Sequence, residues 1–248
     1  MQTKLPIAVT FDCWQTLLIE TDSTRPMQAR ADALIDCASS AQRPLTEEGA
    51  QKVLARTWRR HEQVWQKVQI AGAPEMARWS LEALGISDSD IDPRVAPLSE
   101  AFANASLLGE FAAIEGAKET LMQLREKNVR LGLVCDTGFS PGRVVRQLLE
   151  RVELLEPLEA LAFSDEVRVP KPHPRIFERA LDALGVAPEH ALHIGDLRRT
   201  DVAGAKALGM RTVRLSQPND DRSRYPEADH VVDSHAQFRE WLGLDPIA

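Results

Sequence analysis

Short apolar runs rich in β-branched residues recur along the chain, and stretches of helical character separate most of them. The first run, at residues 7–11, ends at Asp12. Later runs occupy residues 130–135, 161–163, 191–195, 211–215 and, more weakly, 230–232. Strands that are buried on both faces have this composition. The pattern therefore predicts an α/β fold, a doubly wound, Rossmann-like parallel sheet with helices on its faces.

The helices between these runs follow from apolar spacing and from their ends. Residues 115–127 carry apolar side chains at helical spacing, with Asn128 as the end. Two more helices are predicted at 174–184 and 201–208, because Gly185 and Gly209 provide C-caps.

Residues 22–108 interrupt the alternation and have helical character throughout. We predict a long amphipathic helix at 48–70, a second from Pro74 to near Gly85, and a third that begins after Asp92 and Pro93. The predicted organisation is a core domain of residues 1–21 and 109–248 with an inserted helical cap domain of residues 22–108. A chain of 248 residues is long enough for both.

Composition excludes several classes of function. The net charge of −7 is unfavourable for binding to nucleic-acid phosphates. The three cysteines have no CxxC spacing, so neither a zinc site nor a disulfide framework is expected. Reduced thiols, and an N-terminal apolar run too short for a signal peptide or a membrane span, predict a cytoplasmic protein without a membrane partner.

Polar side chains follow the predicted strands, at the edge where open parallel sheets bind ligands. These residues are Asp12, Cys135, Asp136, Thr137, Lys171, Asp196 and Asp201. An aspartate at a strand end is more often a turn or cap residue than a reactive group. Four strand ends that deliver such residues in order are stronger evidence for one site.

The order of these residues resembles that of the haloacid dehalogenase (HAD) superfamily, most of whose members are Mg²⁺-dependent phosphatases. Four segments carry the resemblance: residues 11–17 (FDCWQTL), 133–138 (LVCDTG), 171–172 (KP) and 195–201 (GDLRRTD). It extends from the first strand to Gly209, and the helical insert lies where many members carry a cap domain.

The resemblance implies a role for each position. Asp12 would be the nucleophile that forms an aspartyl-phosphate. Mg²⁺ would be held by Asp12, the backbone carbonyl of Trp14 and Asp196, with support from Asp201. Lys171 would neutralise Asp12 and the transferring group. The candidate substrate-binding residues are Cys135, Asp136, Thr137 and Trp14.

The same residues also have structural interpretations. Lys171 could be a solvated surface residue, and Asp196 and Asp201 could cap the following helix. Structural roles are expected for His173 and His193, and buried neutral thiols for Cys13 and Cys135. In the insert, we expect Trp58, Trp65 and Trp79 to be core anchors, and Arg59, Arg60 and His61 to form a solvated face.

Trp14 departs from the phosphatase pattern. Phosphatases of the superfamily usually carry a second aspartate there, as general acid and base, and an indole cannot transfer a proton. Members that cleave carbon–halogen bonds also lack that aspartate, which favours a 2-haloacid dehalogenase. Asp196 argues the other way, because dehalogenases work without Mg²⁺ and lack the first aspartate of the fourth segment.

Two further alternatives remain open. A phosphonate-cleaving relative would need a cap lysine, but Lys52 and Lys67 lie among charged residues and look solvated. A catalytically weak phosphate-binding protein would keep the site without turnover. The first expectation is a hydrolase, a Mg²⁺-dependent phosphatase for a small phosphorylated metabolite, as a monomer or homodimer.

Overall fold

The computed structural model describes residues 5–244. Residues 1–4 and 245–248, which belong to the predicted core domain, lie outside the described residues. The expectation that the N-terminal segment is not a signal peptide rests partly on these residues. Within residues 5–244, no helix combines the length and the apolar character that crossing a membrane requires.

The strands confirm the predicted parallel sheet. They are β1 (Ala8–Phe11), β2 (Leu18–Asp22), β3 (Glu110–Ala113), β4 (Arg130–Cys135), β5 (Ala160–Phe163), β6 (Ala191–Gly195), β7 (Arg211–Leu215) and β8 (His230–Val232). Six of them form one sheet in the order β5-β4-β1-β6-β7-β8, with parallel pairing between neighbours. Phe11 pairs with Leu133 on one side and with Ile194 on the other, so β1, β4 and β6 end at the same edge of the sheet.

The helices lie mostly where apolar spacing placed them. They are α1 (Thr24–Ser40), α2 (Glu47–Gln66), α3 (Ala73–Ala83), α4 (Asp88–Ala105), α5 (Ala117–Glu126), α6 (Gly142–Arg151), α7 (Ser164–Val167), α8 (Pro174–Leu184), α9 (Ala203–Ala207) and α10 (His235–Trp241). Gly185 ends α8 in the left-handed conformation, as predicted. The predicted 201–208 helix instead begins earlier, as a π-helical turn at Arg198–Val202 that continues into α9.

The chain divides into two compact units. The sheet unit contains the described residues up to Ile19, Ala112–Asp136 and the residues from Leu149 onward. The helical unit contains Glu20–Phe111 and Thr137–Leu148. β2 and β3, which pair as a separate two-stranded sheet, carry the chain between the units.

One face of α8 supplies much of a core cluster in the sheet unit. Its buried side chains recur at helical spacing and are Ile176, Phe177, Ala180, Leu181 and Leu184. They lie in one cluster with Val134, Ala160 and Ala162 from the sheet. Burial of this apolar surface fixes the central strands, and with them the strand ends that carry the polar residues.

The helical unit has its own core, in which α1 to α4 pack together. α4 begins at Asp88, so the predicted start after Pro93 is wrong. The acidic residues Asp88 and Asp90 in the first turn favour a helix N-terminus directly after Ser87, and Pro93 is accommodated inside the helix.

Two further expectations for the insert are wrong. The buried face of α2 runs through Val53, Thr57 and His61, at intervals of four residues, so His61 is buried and not part of a solvated face. Trp58 follows Thr57 by one position and turns outward, where it is 43% exposed and not a core anchor. Trp65 and Trp79 are only partly buried.

Candidate active site

Asp12 lies at the centre of the sheet edge where β1, β4 and β6 end. Its backbone N–H donates to the Ile194 carbonyl at 2.9 Å, which continues the β1–β6 ladder by one residue. The side chain is 5% exposed, and Asp196, at the end of β6, is 4% exposed. The sheet therefore brings together the two carboxylates that the sequence placed at separate strand ends.

Lys171 is buried among these carboxylates, so its interpretation as a solvated surface residue is wrong. It is 3% exposed, and its Nζ donates to Oδ1 of Asp12 and, at 2.6 Å, to Oδ1 of Asp201. Its backbone N–H donates to Oδ1 of Asp136 at 2.8 Å. Asp136 thus fixes the turn from which the ammonium group reaches Asp12.

Asp201 accepts hydrogen bonds on both carboxylate oxygens. Oδ1 receives Lys171 Nζ and lies 3.2 Å from Nε2 of His193. Oδ2 receives the backbone N–H of Leu197 at 3.0 Å and the hydroxyl of Thr200 at 3.3 Å. The hydrogen bond from the Leu197 backbone shows that Asp201 also has a structural role.

Gly195 is required by the close approach of Asp201. A Cβ atom at position 195 would lie 2.4 Å from the carboxyl carbon of Asp201, well inside van der Waals contact. A side chain there would displace Asp201 from Lys171 and His193, so only glycine permits this arrangement.

The charges of the cluster do not balance. Three carboxylates (Asp12, Asp196, Asp201) face one ammonium group (Lys171), which leaves −3 + 1 = −2 when all are ionised. Burial raises the pKa of Asp12 well above its ordinary value, against the opposing effect of Lys171. Burial, together with Asp201, raises the pKa of Asp196 to about 6.

Asp201 and Lys171 behave as an ion pair. Burial acts to raise the pKa of Asp201, but Lys171 and His193 hold it well below its ordinary value. Burial acts to lower the pKa of Lys171, but Asp12 and Asp201 raise it well above the usual range. The excess negative charge therefore rests on Asp12 and Asp196.

The geometry of the carboxylates fits a divalent cation. One ligand atom from each of Asp12, Asp196 and Asp201 lies within 4.8 Å of the other two. Opposite ligands of an octahedral Mg²⁺ ion are about 4.2 Å apart, and Mg²⁺ prefers oxygen ligands. The residues present therefore fit the metal that the HAD resemblance implies.

The remaining predicted residues surround the end of β4. The Trp14 indole Nε1 donates to the Asp136 carbonyl at 3.2 Å. Cys135 is buried, and burial raises the pKa of its thiol well above the ordinary value, in line with the expected neutral group. Cys13 is buried as well. Thr137 is 5% exposed and is the first residue of the C-terminal segment of the helical unit.

Two polar contacts at this site had no signal in the sequence. Asn219, in the loop after β7, donates to Oδ2 of Asp196 at 2.6 Å. Thr10, inside β1, lies 2.9 Å from Nδ1 of His193. A polar residue in a strand gives no local signal when the partner that satisfies it is distant in sequence.

The fold and the buried aspartate–lysine cluster define a class of protein that comparisons with known families identify. A family model described as haloacid dehalogenase-like hydrolase matches residues 8–209. The chain therefore belongs to the haloacid dehalogenase-like hydrolases.

Curated relatives of this chain include named phosphatases. The phosphoglycolate phosphatase 1 of Pseudomonas aeruginosa is 30% identical over 215 residues, which are 86% of this chain and 71% of that protein. The glyceraldehyde 3-phosphate phosphatase of Pyrococcus furiosus is 38% identical over 50% of this chain and 49% of its own. The chain thus spans about half the length of several curated relatives that it matches.

Solved structures share the fold. A HAD phosphatase from Thermococcus onnurineus has a TM-score of 0.65 at 23% identity, covering 99% of this chain and 100% of that one. A 2-haloacid dehalogenase from Pseudomonas syringae has a TM-score of 0.64 at 21% identity, with 97% and 98% covered. At these identities the likeness defines the fold and does not separate the two chemistries.

Proposed function

We propose that this chain is a Mg²⁺-dependent phosphatase that acts on a small phosphorylated metabolite through an aspartyl-phosphate at Asp12. The observation that carries the proposal is the buried cluster of three carboxylates beside one lysine, which has a charge of −2 (three negative groups and one positive) when all four groups are ionised. A divalent cation would neutralise that charge and so reduce the repulsion between these carboxylates and a phosphoryl group.

The proposed metal ligands are Asp12, Asp196 and the backbone carbonyl of Trp14. Asp201 supports the site, because donors already occupy both of its oxygens: Lys171, His193, Leu197 and Thr200. An ionised carboxylate offers about four lone-pair sites, and these four donors use them. When bound, Mg²⁺ would offset the negative charge of the nucleophile and of the phosphoryl oxygens.

Asp12 is held for attack by a hydrogen bond on each oxygen. Lys171 Nζ binds Oδ1, and the Thr16 hydroxyl donates to Oδ2 at 3.2 Å. In the proposed step a carboxylate oxygen of Asp12 forms a bond to phosphorus while the bond from phosphorus to the leaving oxygen breaks. Water then cleaves the aspartyl-phosphate and releases inorganic phosphate.

Trp14 limits this chemistry at the leaving group. An alkoxide needs a proton as it departs, and the indole N–H, which donates to the Asp136 carbonyl, cannot supply one. The proposed enzyme therefore favours substrates whose leaving group departs as a stable anion. Cys135, Asp136 and Thr137 remain the proposed substrate-binding residues, and the helical unit is the proposed cap domain.

A screen of phosphate esters beside 2-haloacids, with and without Mg²⁺, tests this function. We expect phosphate release that requires Mg²⁺ and disappears in Asp12→Asn. The control is Asp233→Asn, which removes an exposed carboxylate of the same unit. Metal-independent halide release in place of phosphate release would contradict the proposal.

That outcome would support a second candidate, a 2-haloacid dehalogenase. Trp14 favours it, because a halide leaves without a proton and no general acid is needed. Asp196 disfavours it, because a buried carboxylate without a cation would repel the carboxylate of a haloacid.

A further inference from the structure

The loop between β7 and β8 reaches the candidate active site through a single amide. Nδ2 of Asn219 donates to Oδ2 of Asp196 at 2.6 Å. An amide carbonyl cannot donate a hydrogen bond to an ionised carboxylate, so the nitrogen is the group that faces Asp196. This hydrogen bond engages one of the two carboxylate oxygens of Asp196, which is a proposed metal ligand.

A buried arginine anchors this loop to the sheet. Arg214, in β7, has a side chain only 4% exposed. Its Nε and Nη2 donate to the two carboxylate oxygens of Glu227 at 2.8 and 3.0 Å, and its Nη1 donates to Asp220 at 3.2 Å. Two-point pairing of a guanidinium with a carboxylate fixes orientation as well as distance. Asp220 follows Asn219 directly in the chain, so Arg214 holds the loop next to the Asn219 side chain.

A second anchor holds the loop to the segment that follows Asp196. The backbone N–H of Arg198 donates to Asp221 at 2.6 Å, and its Nη1 donates to the Ser223 carbonyl at 3.2 Å. Its Nη2 lies 2.6 Å from Glu227. Glu227 thus joins Arg198 and Arg214, and the two arginines hold the part of the loop that follows Asn219.

We propose that Asn219 is a positioning residue that orients the Asp196 carboxylate toward the cation. Because the Asn219 amide holds Oδ2 of Asp196, Oδ1 of the same carboxylate keeps one orientation. The cation therefore does not have to order this carboxylate when it binds. The two arginine anchors keep Asn219 in place, so its amide loses little conformational freedom when it binds Asp196. This inference rests on the proposed Mg²⁺-dependent function.

Isothermal titration calorimetry with Mg²⁺ alone tests the proposal without any substrate. Asn219→Leu removes the donor at similar volume, and we expect Mg²⁺ affinity to fall about 10- to 100-fold, as for other residues that hold a metal ligand. Gln217→Leu makes the same chemical change at an exposed position of the same loop and is expected to bind Mg²⁺ like the wild type. Circular dichroism of both variants checks that the fold is intact.

A second variant tests the anchors. Glu227→Gln weakens the contacts to both arginines, and we expect a smaller loss of Mg²⁺ affinity than in Asn219→Leu. The double variant should bind no more weakly than Asn219→Leu alone, because both changes act through one hydrogen bond.

The outcomes separate this inference from the proposed function. Equal Mg²⁺ affinity in the wild type and Asn219→Leu would overturn the positioning role and leave the proposed function in place. If the wild type bound no Mg²⁺, the proposed function would fail and the inference with it. Equal losses in Gln217→Leu and Asn219→Leu would assign the effect to the loop as a whole and overturn the role of the amide.

Discussion

The imidazole of His193 bridges Thr10 and Asp201 inside the sheet unit. Its Nδ1 lies 2.9 Å from the Thr10 hydroxyl oxygen, its Nε2 lies 3.2 Å from Oδ1 of Asp201, and the His193 side chain is 1% exposed. Burial lowers the pKa of His193, so the ring is neutral. Since the Asp201 carboxylate only accepts, Nε2 carries the proton and the Thr10 hydroxyl donates to Nδ1.

This bridge predicts a single histidine tautomer. Nitrogen-15 NMR of the His193 ring should show Nε2 protonated and Nδ1 unprotonated at neutral pH. His193→Leu should lower the free energy of unfolding by about 1–3 kcal/mol, because Asp201 loses a buried donor. His193→Gln retains an N–H near the Nε2 position and should lose less. A ring protonated on Nδ1 would show that the assigned hydrogen bonds are reversed.

Asp12→Asn should abolish hydrolysis and leave the fold intact. The amide is nearly isosteric with the carboxylate but cannot attack phosphorus, and loss of a nucleophile costs about 10⁴-fold or more in rate. Because burial raises the pKa of Asp12 well above its ordinary value, removal of this charge should also raise the Tm in metal-free buffer. Wild-type activity in Asp12→Asn would disprove the nucleophile assignment.

Mg²⁺ should stabilise the wild type, and a chelator should reverse the effect. A ligand that binds only the folded state adds about 2.7 kcal/mol at a concentration one hundred times its Kd. Asp196→Ala removes a proposed ligand, so its Tm should no longer rise with Mg²⁺. Differential scanning calorimetry with and without EDTA measures both. An unchanged response in Asp196→Ala would place the cation elsewhere.

Trp14 predicts a dependence of rate on the leaving group. Loss of a positioned general acid costs about 10²–10⁴-fold when the leaving oxygen must be protonated. p-Nitrophenyl phosphate should therefore give a burst followed by slow turnover, because hydrolysis of the aspartyl-phosphate also lacks a base, and alkyl phosphates should turn over very slowly.

Trp14→Asp provides the matching gain-of-function test. It should raise turnover of alkyl phosphates more than that of aryl phosphates, measured as phosphate release under the same conditions. Equal rates on both classes in the wild type would mean that another group, such as Asp136, supplies the proton.

His235 predicts a loss of stability in acid. Its Nε2 donates to the Thr16 carbonyl at 2.8 Å, while its buried Nδ1 has no partner among the described residues. Burial lowers the pKa of His235 from 6.5 to about 4. The hydrogen bond to Thr16 opposes this shift, Arg239 adds a smaller lowering, and Glu119 a smaller opposing effect. The unfolded chain therefore binds the proton more readily than the folded protein.

The difference between the pKa of His235 in the unfolded chain and in the folded protein sets the direction of the pH dependence. The contribution of His235 is complete above pH 6.5 and falls as the pH decreases toward about 4, below which the loss is constant. The total is at most about 3 kcal/mol. Urea denaturation across this range should show a shallower pH dependence for His235→Gln, while His190→Gln, at an exposed position, controls for the loss of a histidine. An identical slope in His235→Gln would assign the acid sensitivity to other groups.

The sequence predicted those parts of the fold whose signal is local. The strands at Arg130–Cys135 and Ala191–Gly195 have the predicted bounds, because their burial on both faces leaves a continuous apolar run. α10 was missed because it is short and is capped by Ser234 within a polar region. β2 was missed because most of its residues are polar and exposed.

The same distinction applies to the candidate site. Asp12, Asp196 and Lys171 follow strands or turns with recognisable patterns, so their convergence could be predicted. Asn219 lies in an irregular loop 23 residues from Asp196, and its role depends on arginine contacts that have no sequence periodicity. Whether each residue has its predicted role stays a prediction until the experiments above are done.

The position of β1 in the sheet has a consequence for biosynthesis. β1 lies between β4 and β6, so the strand that leads to Asp12 gains its second neighbour only from Ala191–Gly195. A nascent chain whose synthesis has not passed this segment exposes an unpaired edge of an apolar strand, which is prone to aggregation. The surroundings of Asp12 are therefore completed only after synthesis has passed Gly195, long after Asp12 itself has been made.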